Sequence, residues 1–298
     1  MRRLTILVLA LAAIYSGYWF IGAAAVERTA TAQIAQMRLD GWTLDYESLN
    51  TRGYPSRFDT TVTTFNVIPP SGDLAWQAPF VQVLSLSYKT NEVILALADR
   101  QDLTLGGVPM TLTSDGLRAS ALVAANTDLD LTRFTVEVGQ MRADSSAGTV
   151  FSLSNALVAL RAAKDAPLLY AAFADINDLA LPVSLRQILD PAGNFPAILS
   201  QMTIDASITT DRKLDRNVIS DLRRPQIDAF KLNGMTLAWG PLSLRGKGEV
   251  TIDRSGIPTG QFTLEAQNWR EMVQMAVNAG LIEQGVSETL ENMGTILA

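Results

Sequence analysis

Three kinds of hydrophobic patterning follow one another along the chain. The first is a run without a charged residue from 4 to 26, which begins at Leu4 directly after Arg2 and Arg3. Its 23 residues would rise ~34 Å as a helix, enough to cross the hydrocarbon core of a bilayer. Tyr15, Tyr18, Trp19 and Phe20 cluster toward its far end, where amphipathic rings suit a membrane–water boundary. The two arginines favour a cytoplasmic N-terminus, so the pattern predicts a transmembrane anchor over 1–26 with the rest of the chain exported. A cleaved signal peptide is the alternative, because Ala23-Ala24-Ala25 offers a small-residue cleavage site near Ala25. The second pattern is helical: Val26, Ile34 and Met37 fall near helical spacing and Gly41 can stop the turn, which predicts a helical extension over 27–41.

Beyond Gly41 alternation takes over. In 242–253 the even positions carry Leu242, Leu244, Gly246, Gly248, Val250 and Ile252, and no apolar residue stands at an odd position. A period of two over that length predicts a strand with one dry and one wet face. Met202, Ile204, Ala206 and Ile208 repeat the split, as do Phe262, Leu264 and Ala266. One-sided strands belong to antiparallel sheets. Further strands are predicted near 42–49, 57–68, 80–88, 91–98, 108–113, 116–124, 128–138, 149–161, 168–176 and 229–239, with Gly- and Pro-rich turns in most gaps. A short helix is expected over 182–189, opened by Pro182 and closed before Pro191. C-terminal helices are expected over 269–297. There Asn268 and Glu271 make a capping pair, and Trp269, Val273, Ala276, Ile282, Val286, Leu290, Met293 and Leu297 form a stripe. The expected fold is mainly β (α+β): a transmembrane helix, a large curved antiparallel sheet or sandwich over 42–298, and short C-terminal helices packed on it.

Composition narrows the chemistry. The chain has 298 residues, 48% apolar and 18% charged, enough to bury a core. It contains no His and no Cys. Disulfides, thiol chemistry, Cys/His metal sites and Ser-His-Asp or Cys-His catalysis are therefore excluded. A net charge of −6 makes nucleic acid an unfavourable partner. Asp128 and Asp130 would project from one face of a strand, a spacing compatible with Ca²⁺ or acid–base work, although solvated strand residues are the simpler account. Asp211, Asp215 and Asp221 lie among Arg212, Lys213, Arg216, Arg223 and Arg224; this is read as a solvated segment, with anionic headgroup binding as the sharper option. Gly246-Lys247-Gly248 lacks phosphate-loop spacing. No catalytic residue, metal ligand or cofactor is identified, and the expectation is a protein that is not an enzyme.

Several short motifs occur in order: Gly41-Trp42, Tyr46-Glu47-Ser48-Leu49, Gly53-Tyr54-Pro55, Arg57-Phe58, Trp76, Ala78-Pro79 and, near the end, 237–242 with Trp239-Gly240. With the N-terminal run, they resemble the bacterial family called domain of unknown function 2125 over nearly the whole chain. The amphipathic strands behind an anchor also resemble AsmA-like envelope proteins more weakly. That second resemblance implies inner-membrane anchoring, periplasmic exposure and a role in envelope lipid homeostasis. The expectation is a single-pass inner-membrane protein with its bulk in the periplasm. Its apolar sheet face, at Leu242, Leu244, Val250, Ile252, Phe262 and Leu264, would take a lipid. The alternative is a non-catalytic scaffold that binds another envelope protein.

Overall fold

The computed structural model describes residues 1–216, 218, 225–253, 255–278 and 280. It is mainly antiparallel β, with one long N-terminal helix and short helices later in the chain. The chain divides into two compact units, Met1–Val136 and Glu137–Ala298.

In the first unit a single helix, α1 (Arg2–Leu39), joins the apolar run to the amphipathic extension without a break. In its second half the less exposed residues are Trp19, Gly22, Ala23, Val26, Glu27, Ala30, Ile34 and Met37. Steps of three and four put them on one face, and that face lies along the sheet. Gly41, at φ 90°, takes the chain out of the helix.

Strands β1 (Thr43–Asp45), β2 (Ser48–Arg52), β3 (Arg57–Ile68), β4 (Leu74–Leu86), β5 (Lys89–Leu97), β6 (Arg100–Leu105), β7 (Val108–Ser114) and β8 (Arg118–Val123) follow. The long β3–β4 hairpin is the centre of this sheet. β1 and β2 share the outer side of β3, one at each end. β5 and β6 likewise share the outer side of β4, and they pair onward with β8 and β7. The strand predicted over 42–49 is thus two short ones, and β4 starts earlier than its apolar alternation suggests. Asp128 and Asp130 lie in the turn before β9 (Leu131–Val138), not on a strand face. Leu129 between them has φ 54°, and the Asn126 amide donates to Asp130 Oδ2 at 3.1 Å.

The second unit continues with β10 (Met141–Ser145), β11 (Gly148–Leu153), β12 (Asn155–Ala163), β13 (Ala166–Ala180), β14 (Ile198–Thr210), β15 (Ile227–Trp239), β16 (Leu242–Ile252) and β17 (Pro258–Gln267). From β12 to β17 each strand pairs with the next. The expected strand over 149–161 is interrupted at Ser154, whose amide donates to the Asn177 carbonyl at 3.0 Å. Helix α2 (Val183–Leu189) interrupts the meander, and α3 (Trp269–Asn278) follows it. The continuation of the C-terminal helices beyond 280, including Ile282, Val286, Leu290, Met293 and Leu297, lies outside the described residues, as do Asp221, Arg223 and Arg224.

The register carries the sequence pattern into two faces. One row across six strands reads Leu160, Ala172, Ala206, Leu232, Gly248, Phe262. The next reads Val158, Ala174, Ile204, Met235, Gly246, Leu264. The opposite face contains the row Asp175, Thr203, Thr236, Arg245, Glu265. A bulge at Asn233 keeps β15 in step: its apolar residues change from Phe230 and Leu232 to Met235 and Leu237 across the extra residue.

Candidate functional site

Two places in the chain join apolar surface to a built set of polar contacts. The first is the docking of α1 on the turns of its own unit. Trp19, Ala23 and Phe58 form a buried cluster. Phe58 comes from the start of β3, and Gly22 lets it approach: a Cβ there would lie 2.7 Å from Phe58 Cζ. Trp19 Nε1 donates to the Arg57 carbonyl at 2.8 Å. The Tyr54 ring stands edge-on to Trp19, with centroids 5.5 Å apart, and stacks on Phe20 at 5.7 Å.

Of the aromatic residues predicted to face a membrane boundary, Trp19 is buried against the body, whereas Tyr15, Tyr18 and Phe20 remain 37%, 48% and 62% exposed. Arg2, Arg3 and Leu4 are exposed at the start of the helix. Tyr18 Oη donates to the Ser87 carbonyl at 2.6 Å, and Tyr15 Oη lies 3.0 Å from Ser87 Oγ. Ser87 itself is fully buried in the β4–β5 turn. Gly53, Tyr54 and Pro55 occupy the β2–β3 turn, where the Tyr54–Pro55 peptide is cis and Gly53 has φ 106°. A side chain at Gly53 would press on Arg57, whose Cβ would be 2.8 Å away. Further along the helix, Glu27 Oε1 accepts the Thr51 backbone N–H at 2.6 Å, and Arg38 Nε donates to the Leu44 carbonyl at 2.8 Å. Sequence reasoning singled out the aromatics and the Gly-Tyr-Pro turn separately. It had no signal for joining them, and it missed Ser87, a serine indistinguishable from any other turn residue.

The second place is the apolar face of the second unit. At one end Leu199, Trp239 and Leu242 are buried together, packed by Leu179, Leu189, Phe195, Met272 and Met275. Trp239 Nε1 donates to the Pro196 carbonyl at 2.8 Å. Gly240 (φ 54°) makes this fit possible, because a Cβ there would stand 2.6 Å from Pro196 Cδ. The Asn268 amide donates to the Pro241 carbonyl at 2.8 Å and so ties the start of α3 to the β15–β16 turn. At the other end Tyr170 is buried, and its hydroxyl accepts the Leu214 backbone N–H at 2.8 Å. A cleft of about 350 Å³ opens there between Leu160, Tyr170, Ile208, Leu214, Val218, Pro225 and Ile227. Between the ends Leu244, Val250 and Ile252 are half-buried, whereas Phe262 and Leu264 are 50% and 60% exposed.

Trp76 belongs to neither place. Its indole donates to Gln101 Oε1 at 2.8 Å, and Gln101, buried at the β5–β6 corner, donates to the Ala98 carbonyl. Pro79 is exposed within β4. Among the described residues, no group of three or more acidic side chains is placed to hold a metal ion. Two half-buried carboxylates are held below their ordinary range. For Glu92 the first cause is the Lys89 hydrogen bond, joined by the charges of Lys89 and Arg133. For Asp144 it is the Arg142 hydrogen bond, then that of Thr149.

Comparison with known proteins gives a family and nothing narrower. No curated protein and no solved structure matches the chain. A family model described as an uncharacterized protein conserved in bacteria (DUF2125) matches residues 19–298, beginning at Trp19 within α1. The match covers nearly the entire chain, and the chain belongs to the DUF2125 family.

Proposed function

We propose that the protein is a single-pass component of the bacterial cytoplasmic membrane with its β-rich body in the periplasm, and that the apolar face of its second unit takes up lipid acyl chains in envelope maintenance. The observation that carries this reading is the contrast within α1. Leu4, Leu7, Val8, Leu11 and Ile14 are exposed apolar residues on a helix long enough to span, whereas Trp19 and Ala23 are buried in the body. Cleavage near Ala25 would remove Trp19 and Ala23 and uncover Phe58, which supports a retained anchor. The family match points the same way, because it includes the second half of the helix. The lipid part of the reading is supported by the apolar rows of β12–β17 and by the cleft beside Tyr170, whose size lies at the low end of small-ligand pockets, ~300–1,000 Å³. A protein partner on the same face is the competing reading, favoured by the exposed Phe262 and Leu264. Neither reading invokes catalysis.

The absence of native Cys makes the test clean, since an introduced thiol is the sole one. Ser255→Cys should react with a membrane-impermeant maleimide once the outer membrane is opened, and a Cys beside Arg2 should not. The reverse labelling would refute the topology. A photo-crosslinking residue at Ile227, beside the cleft, should trap a lipid-sized adduct in cells; a protein adduct instead would establish the scaffold reading.

A further inference from the structure

We propose that the β2–β3 and β4–β5 turns of the first unit enter the outer leaflet of the membrane as a collar around α1, so that the body is seated in the lipid rather than suspended above it. The inference rests on the anchor reading and follows from a shortfall in length. Contacts between α1 and the turns begin at Tyr15. Before it only residues 4–14, eleven in all, are uncharged and free of the body, a rise of ~16 Å. The hydrocarbon core is ~30 Å thick. If the docked geometry is kept, roughly 14 Å of the span must come from the segment that carries the turns.

The second observation is the hydrogen bonding of those turns. Irregular backbone is tolerated at membrane depth only where its polar groups are satisfied within the protein. Here the helix and the turns satisfy each other. The Arg57 carbonyl accepts from Trp19, and the Ser87 carbonyl accepts from Tyr18. The Gly53 and Ser56 carbonyls accept the backbone N–H groups of Arg57 and Ser87 at 2.9 Å each. The Pro55 carbonyl accepts from Ser87 Oγ at 3.2 Å, and the Tyr54 hydroxyl lies 2.8 Å from Ser16 Oγ. What the turns present outward is Tyr54, 52% exposed, and Tyr88, 71% exposed, beside Phe20 and Ile21 on the helix; Arg57 and Lys89, with side chains 51% and 47% exposed, stand next to them on stems long enough to keep their charges at the lipid phosphates. Tyrosines with an apolar body and a polar tip suit the interfacial layer. The opposite end of β4, at Leu74, lies ~40 Å of strand away, so only one end of this sheet is committed to lipid.

The test uses the full chain in liposomes of phosphatidylethanolamine and phosphatidylglycerol. An environment-sensitive fluorophore is placed on single cysteines at Tyr88, at Leu9 as the span control, and at Val108, just after the β6–β7 turn, as the distant control. Lipids carrying a nitroxide high on the acyl chain should quench the probe at Tyr88 at least about twofold more than at Val108. Lipids carrying it near the chain end should quench the probe at Leu9. Quenching at Leu9 with Tyr88 no different from Val108 would overturn the collar and leave the anchor standing. No quenching at Leu9 would overturn both.

Discussion

Each unit contains a tryptophan closed in by a glycine-bearing turn. Trp19 and Trp239 are 5% and 3% exposed, and each indole donates to a backbone carbonyl at 2.8 Å. The turn that closes each one carries a glycine in the left-handed region, Gly53 in the first unit and Gly240 in the second. The surroundings differ. Trp239 is enclosed by side chains from β14, β16, α2 and α3. Trp19 has Phe58 and Tyr54 on one side, while its neighbours Phe20 and Ile21 are more than half exposed. The same local device thus closes a core in one unit and, in the other, fastens a helix whose remaining surface is exposed and apolar. Burial of a single side chain does not distinguish the two roles; what its neighbours face does.

The largest predicted effect tests that distinction. Trp239→Ala should cost about 3–5 kcal/mol, the range for truncating a buried large aromatic residue. Trp19→Ala should cost clearly less in bilayers, because lipid is as apolar as the cluster and helix docking there has little hydrophobic drive. Its loss should be nearer the ~1–2 kcal/mol of packing and one hydrogen bond. Urea unfolding of the full chain in bicelles measures both. Equal losses would mean that the Trp19 cluster excludes water as an ordinary core does, and the contrast would fail.

Glycine substitutions sharpen it next. Gly240→Ala combines a left-handed φ with a contact 2.6 Å from Pro196, and nothing offsets them. A loss of about 1–3 kcal/mol is expected. Gly22→Ala brings a contact 2.7 Å from Phe58, but an alanine in mid-helix regains ~1 kcal/mol of helix propensity. Its net loss should therefore be the smaller one, with helix content unchanged by circular dichroism and the thermal midpoint in detergent lowered. A larger drop than for Gly240→Ala would show that the Phe58 ring cannot yield.

How much of this was legible in the sequence depends on the period. The one-sided strands at 202–208, 242–252 and 262–266 share a face in the sheet as their alternation requires. The Asn233 bulge was not read from the sequence, although its change of parity between Leu232 and Met235 stands there. β6 and β10 were missed because they are short and carry little alternation. The docking of α1 had no sequence signal, since it depends on contacts between residues such as Tyr18 and Ser87, 69 positions apart. The aromatic cluster announced a boundary, but periodicity along one helix cannot say whether lipid or a distant turn meets it.

The smallest effect concerns charge at the surface of each unit. Glu92 of the first unit and Asp144 of the second are both held below their ordinary carboxylate values by basic neighbours. A carboxylate whose folded value is depressed adds stability above its unfolded value and loses it as pH falls through the folded one. The contribution is thus complete at neutral pH. It erodes only on acidification below the ordinary values of 4.5 for Glu92 and 3.8 for Asp144. Both groups meet solvent, so screening keeps each effect small, and added salt should shrink it further. Glu92 holds two cations, Lys89 and, at 2.8 Å, Arg133 of β9, whereas Asp144 is held within its own hairpin by Arg142 and Thr149. Glu92→Gln should therefore flatten the acid limb of thermal unfolding more than Asp144→Asn does, in low salt and with little change at pH 7. Equal flattening would show that linking two strands through a carboxylate adds nothing measurable beyond a local pair.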